Sequence, residues 1–204
     1  METVEFWNAR FGTEAYAYGT APNDFLQLMA DQIPTGGRVL CIAEGEGRNA
    51  VYLAQQGHRV SAVDISAAGQ KKAERLAREK GVVIDYHLSD LDQFDLGEGR
   101  WDAIISIFGY IGRDAVARQS VYSELQKALT PGGVLIVEAY HPEQLNYNTG
   151  GPKESDLLIT LDELRGAFDK DAVLHAAACE RNVIEGVHHT GPAFVTQLVY
   201  QKPM

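Results

Sequence analysis

A chain of 204 residues with 45% apolar composition can bury one sizeable core, and a single domain is expected. Its 18 basic and 28 acidic residues leave a formal charge of −10, which argues against nucleic acid as the main partner, since phosphate binding needs clustered Lys and Arg. No run of 18 uncharged apolar residues occurs and "METVEFWNARFG" lacks a secretion-signal layout, so a soluble cytoplasmic protein with no membrane partner is expected, monomeric or homodimeric.

In chain order, the first 35 residues are read as a cap segment. It contains one amphipathic helix after Pro22 and Asn23, with Phe25, Leu28, Met29 and Ile33 facing inward. Residues 36–140 then alternate short apolar runs with helical stretches. The runs are "RVLCIA" (38–43), "RVSAVDI" (59–65), "VVIDYHL" (82–88), "WDAIISIF" (101–108) and "GVLIVEAY" (133–140). One helix spans 48–56 and closes at Gly57. A second, 67–80, starts after Ser66 as N-cap and stops at Gly81. Its basic stretch "KKAERLAREK" has acids interspersed at helical spacing and reads as a solvated face. A third helix, 115–129, leads into a "TPGG" turn. Such alternation means βαβ crossovers and a doubly wound α/β sheet. Residues 141–204 change character. "TLDEL" (160–164) is a capping box opening a helix to about Phe168, and the runs 172–186 and 191–202 form a terminal antiparallel hairpin. Cys41 and Cys179 make no disulfide framework and are read as packing thiols.

The chemistry concentrates in "AEGEGRNA" (43–50), the turn leaving the first strand. Ligands of open α/β sheets bind beyond the carboxyl ends of the strands. Small residues at 43, 45 and 47 let a ligand approach the backbone, and the following helix presents free N–H groups. Asp64 ends the second strand 17 residues after Gly47, placed to accept hydrogen bonds from ribose hydroxyls. The turn is a legal dinucleotide fingerprint, yet Glu44 and Glu46 flank its glycines. A carboxylate about 5 Å from a phosphate charge costs roughly 3 kcal/mol at an effective dielectric of about 20. The sulfonium and ammonium of S-adenosylmethionine suit this turn better, provided the acids point inward; for Glu46 a solvent-facing side chain is equally open. Asp90, after the third strand, is placed for an adenine amino group. A dehydrogenase would also need a separate substrate region, whereas the sheet is expected to use nearly the whole chain and to leave only residues 1–24 and the loop 140–156 as a cap.

"VLCIAEGEGRNAVYLAQQGHRVSAVDIS" resembles motifs I and II of class I S-adenosylmethionine-dependent methyltransferases. The branch it most resembles contains the tellurite-resistance methyltransferases and bacterial relatives of thiopurine methyltransferase. "FWNARFG…YAYGTAPNDFL", "LTPGGVLIVEAY" and "QLNYNTGGPK" extend the similarity over nearly the whole chain. The resemblance implies a seven-stranded sheet of order 3-2-1-4-5-7-6 with the last strand antiparallel. It also implies Gly45, Gly47, Asp64 and Asp90 at the cofactor turn, ribose and adenine positions. Ala43 and Cys41 depart from the usual glycine and acid there, and Glu44 is expected to supply the missing charge. The remaining cofactor-binding candidates are Trp7, Arg10, Tyr18, Gly19, Asn23, Asn49, Ile65, Ser66, Leu91 and Ile107. Arg10 and Asn23 are assigned to the cofactor's carboxylate and its surroundings. Phe6, Trp7, Phe11, Tyr16 and Tyr18 are placed to close over the sulfonium, with a role as hydrophobic staples of a terminal helix equally open for Phe6 and Phe11.

On the acceptor side, "SIFGYIG" (106–112) lacks the Asn/Asp-Pro-Pro-Tyr/Phe motif of many amino-group methyltransferases. The expected acceptor is a small molecule with a thiol or chalcogen nucleophile, tellurite included, which needs little help once positioned. Protein or other amine and hydroxyl acceptors are the alternative. A nicotinamide-dependent reductase and a non-catalytic S-adenosylmethionine-binding module are the rivals from other classes. Tyr110 and His141 are the catalytic candidates, with Tyr140 a further orienter. His188 and His189 are read as surface residues, no metal site is expected, and "NTGGPK" (148–153) is read as a flexible lid or substrate loop carrying Lys153.

Overall fold

Period-two alternation within the apolar runs sends successive side chains to opposite faces of a sheet, and helices cover both faces. The computed structural model describes residues 4–109 and 111–204. Strands β1 (Arg38–Ile42), β2 (Arg59–Asp64), β3 (Asp85–Leu88), β4 (Trp101–Ile107), β5 (Leu129–Tyr140), β6 (Val173–Glu185) and β7 (His189–Gln201) form one sheet of order β3-β2-β1-β4-β5-β7-β6. Strands β1 to β5 pair in parallel, whereas β7 runs antiparallel to both β5 and β6. The order and the closing hairpin are those expected.

On one face Leu40, Ile42, Ile104, Leu135 and Val137 pack under helices α5 (Ala115–Ala128) and α6 (Leu161–Ala167). On the other, Val39, Cys41, Ala103, Ile105 and Ile136 pack under α2 (Asp24–Met29) and α3 (Arg48–Gln55). Helix α4 (Ala67–Lys80) joins α3 through Leu76, Ala77 and Val51. Ser66 caps α4 by accepting from the Gly69 N–H, and Gly81 ends it in the left-handed conformation.

Four local expectations are corrected. Helix α1 (Val4–Phe11) precedes α2, so the cap holds two helices rather than one. Within α2 the inward residue is Leu26, fully buried, while Leu28 is 73% exposed; six residues are too few for an apolar stripe to set the facing. Strand β3 is only four residues long, and Val83 ahead of it stands in solvent. "TPGG" lies inside β5, where the register slips because Leu129 pairs with Trp101 and Val134 with Ala103.

The α6 capping box is half made. Thr160 Oγ1 accepts from the Glu163 N–H at 3.0 Å. The Glu163 carboxylate turns instead to buried Arg118 at 2.6 and 2.8 Å and to Tyr122 at 3.0 Å, locking α6 to α5.

Candidate active site

The turn after β1 adopts a shape that depends on small residues. Ala43 sits at φ 51°, left-handed backbone where glycine is the usual residue. A Cβ on Gly47 would lie 2.6 Å from that of Ala73, so only glycine lets α3 start this close to α4. Beyond the turn, at the carboxyl ends of β1, β2, β4 and β5, opens a cavity of about 390 Å³.

Asp64 stands in its wall with both oxygens oriented: Oδ2 accepts from the Gly45 N–H and Oδ1 from the Ser66 N–H, each at 2.8 Å. Burial raises its pKa against those backbone bonds. Glu44 Oε1 accepts from the Asn49 and Ala50 N–H groups at 2.9 and 2.8 Å, capping α3. Burial pushes the Glu44 carboxyl up to about 7; the Ala50 and Asn49 N–H groups and Arg48 oppose the rise, and Asp64 adds to it.

Glu46 points inward, which decides the question the sequence left open. It is 4% exposed, pairs with Lys72 Nζ at 2.5 Å and accepts from the Ala17 and Tyr18 N–H groups at 2.8 and 3.3 Å. It therefore ties the segment after α1 to the turn and to α4.

Of the cofactor-binding candidates, Trp7, Tyr18, Gly19, Ala43, Glu44, Gly45, Asn49, Asp64, Ile65, Asp90, Leu91 and Ile107 line the cavity together. Arg10, Asn23, Gly47 and Ser66 are not in its wall. Arg10 lies over the Phe6 ring and donates to Tyr18 Oη at 3.3 Å. Asn23 is fully buried; it caps α2 and donates to Glu138 at 2.6 Å and Glu185 at 2.8 Å, so its side chain is committed away from any ligand carboxylate. Tyr16 turns to α4, donating to the Lys72 carbonyl at 3.2 Å.

The acceptor-side candidates are rearranged more deeply. Tyr110 lies outside the described residues. His141 is not in the wall: its Nδ1 accepts from the Glu143 N–H at 3.2 Å as the cap of a short helical turn, Pro142–Asn146. Lys153 is exposed and likewise outside the wall, and the "NTGGPK" loop is tied down through Gln144 and Thr149 rather than left loose.

Instead His189, expected at the surface, is 8% exposed and lines the cavity beside Tyr140, Phe108 and Tyr18. The ring centroids of Tyr18, Phe108 and Tyr140 lie 4.4, 5.0 and 5.2 Å from that of His189. Phe108, at φ 53°, also stacks on Tyr140 at 4.6 Å.

Behind this wall runs a buried ionic network. Glu138, fully buried, accepts from Arg181 at 2.9 and 2.6 Å, from Gln197 at 2.7 Å and from Asn23. Glu185 accepts from Arg181 at 3.0 Å and Arg48 at 2.6 Å. Burial works against ionisation of Glu185, but His189, Arg48 and Arg181 outweigh it and hold its pKa at about 2. Sequence reading missed Glu185, Arg48 and His189. The pairing of Glu185 with His189 across the β6–β7 hairpin was the available signal.

Residues 39–133 match the family model described as a methyltransferase domain. That stretch holds the turn after β1 and the parallel strands from β1 to β4. The chain has a methyltransferase fold. The chain is 25% identical over 138 residues to the 2-heptyl-1-hydroxyquinolin-4(1H)-one methyltransferase of Mycobacteroides abscessus, covering 67% of this chain and 60% of that protein. It is 30% identical over 123 residues to the tRNA 5-carboxymethoxyuridine methyltransferase of Escherichia coli K12, covering 60% of this chain and 47% of that one. It thus spans about half to three-fifths of the length of these curated relatives. Among solved structures, it is similar to a SAM-dependent methyltransferase from Methanosarcina mazei, with TM-score 0.69 at 15% identity, covering 87% of this chain and 97% of that one.

The cavity fits the donor that such a fold takes. Asp64 offers a pre-oriented carboxylate for a diol, and Asp90 stands in the same wall. Glu5, Glu44, Asp64 and Asp90 give the wall acidic groups, which suit a cation better than a pyrophosphate, while the charge of Glu46 is taken up by Lys72.

Proposed function

We propose that the protein transfers a methyl group from S-adenosylmethionine to a small-molecule acceptor at the aromatic end of this cavity. The observation that carries the reading is the cavity whose wall brings Asp64 and Asp90 together with Tyr140 and His189. The donor supplies an already activated methyl group, so the chain's work is to position two partners and exclude water. Asp64 would take the ribose hydroxyls, Asp90 the adenine amino group and Glu44 the ammonium, while Trp7 and Tyr18 flank the sulfonium.

Among small molecules, a thiol or other neutral acceptor suits the wall better than a tellurium oxyanion. Arg48 is the only Lys or Arg among the described lining residues, and Glu185 already neutralises it at 2.6 Å. The quinolone-methylating relative supports a small acceptor. The formal charge of −10 weighs against a tRNA substrate like that of the other relative. Release of S-adenosylhomocysteine should be measured over thiols, tellurite and tRNA. Turnover of thiols is expected, and turnover of tRNA alone would contradict the reading.

Glu44 makes a second test. A carboxyl with a pKa of about 7 must be ionised to face an ammonium, so donor affinity should fall as pH drops below that value, by up to about tenfold per unit. Glu44→Gln should weaken binding by roughly tenfold at pH 8 and flatten this dependence. Calorimetry between pH 6 and 8 measures both, and an unchanged affinity in the variant would remove Glu44 from the donor site.

A further inference from the structure

Helix α1 has eight residues, of which only Phe11 is buried, so its shape depends on what it docks against rather than on its own hydrogen bonds. It docks in two places. Asn8 Oδ1 accepts from the Ser66 hydroxyl at 2.8 Å and from the Ala68 N–H at 3.1 Å, filling a free donor position at the start of α4. The Phe11 ring occupies space that two glycines leave. A Cβ on Gly45 would lie 3.0 Å from its Cζ, and one on Gly69 would lie 2.9 Å from its Cδ2. Gly45 and Ser66 are also the residues whose N–H groups orient Asp64. Helix α1 therefore rests on the two residues that aim this carboxylate. Its own Val4, Glu5, Trp7 and Phe11 line the same cavity, with Trp7 stacked on Phe11 at 5.4 Å.

We propose that Asn8 is a positioning residue that makes donor binding and the seating of α1 a single event. The inference rests on the methyl-transfer reading above and adds to it a control of donor exchange. Asn8 is not in the cavity wall, so it acts through Ser66. Ser66 is fully buried and every polar group it offers to this contact is engaged. Its N–H donates to Asp64, and its hydroxyl donates to Asn8 while accepting from the Gly69 N–H at 3.1 Å. A donor gripped by Asp64 fixes the turn at 64–66 and with it the surface on which Asn8 docks. A seated α1 in turn keeps Trp7 and Phe11 in the wall. Such coupling is reciprocal, so a change that unseats α1 loosens the donor by the same factor.

The segment after α1 has an anchor of its own. Glu46 accepts from the Ala17 and Tyr18 N–H groups, and Lys72 Nζ donates to the Ala15 carbonyl at 2.6 Å. Releasing Asn8 therefore frees α1 alone and leaves the rest of the cap tied to the turn and to α4.

Two measurements on S-adenosylhomocysteine test this without turnover. In wild type, saturating ligand should slow amide hydrogen exchange across residues 4–12 by about tenfold or more. Equal exchange with and without ligand contradicts the coupling. Asn8→Ala should then release labelled ligand, chased with unlabelled, about tenfold faster than wild type. Its ligand-free melting temperature should stay within about 2 °C, because the Glu46 and Lys72 anchor remains. Asn8→Asp should restore most of the slow release, since a carboxylate accepts the same two bonds and suits a helix start. A merely structural Asn8 would lower the melting temperature in Asn8→Ala and leave the release rate unchanged, which would overturn the proposal. If wild type binds the ligand and Asn8→Ala releases it no faster, this inference fails and the methyl-transfer reading stands. If wild type binds neither S-adenosylmethionine nor S-adenosylhomocysteine, both fail.

Discussion

Asp64→Ala is expected to weaken S-adenosylmethionine binding by 10²- to 10⁴-fold. Hydrogen bonds to a charged group contribute about 1.5–3 kcal/mol each, and a ribose diol would make two of them with this carboxylate. The side chain is held by the Gly45 and Ser66 N–H groups before any ligand arrives, so little ordering cost offsets that gain. Asp64→Asn keeps the shape and one acceptor oxygen, and should lose roughly tenfold or more. Calorimetry gives both affinities, and a melting curve of each variant separates lost binding from lost fold. An Asp64→Ala protein with near-wild-type affinity would mean that the donor lies elsewhere.

Glu138→Ala should be the most damaging single change to stability. The carboxylate has no solvent contact and receives bonds from Arg181, Gln197 and Asn23. Removing one partner of a buried ion pair costs about 3–5 kcal/mol because the other charge is left uncompensated. In a chain of this size that corresponds to a fall in melting temperature of roughly 6–20 °C. Glu185 remains as a partner for Arg181 at 3.0 Å, which favours the lower half of the range. A change under about 1 kcal/mol would show that the network is not the brace between β5, β6 and α2 that its geometry describes.

The parallel core was legible because β1, β2 and β4 are short apolar runs buried in the sheet, and the reversed ending because two strand-like runs follow with no helix between them. Caps such as Ser66 and Thr160 marked the helix starts through local hydrogen bonds. The positions of Asp64 and Asp90 in the cavity wall follow from the same logic, since strand ends in this topology converge on one edge.

What escaped the sequence depends on distant partners. Arg48 looks like an ordinary residue beside a glycine turn until Glu185, 137 positions later, reaches it. His189 belongs to a stretch rich in turn-formers, "EGVHHTGP", and becomes buried because rings from three other segments meet there. Asn23 reads equally well as a ligand donor or a helix cap, and the buried acids behind it decide for the second. Leu28 and Leu26 differ only in which side of a six-residue helix they occupy, and neighbours rather than periodicity settle that.

The central claim is that this cavity takes an adenosyl sulfonium. Isothermal titration of the wild-type protein with S-adenosylmethionine, S-adenosylhomocysteine and NADH tests it most directly. Saturable binding of the first two at one site per chain, with NADH failing to compete, is the predicted result. Tight NADH uptake with no heat from either adenosyl ligand would contradict it.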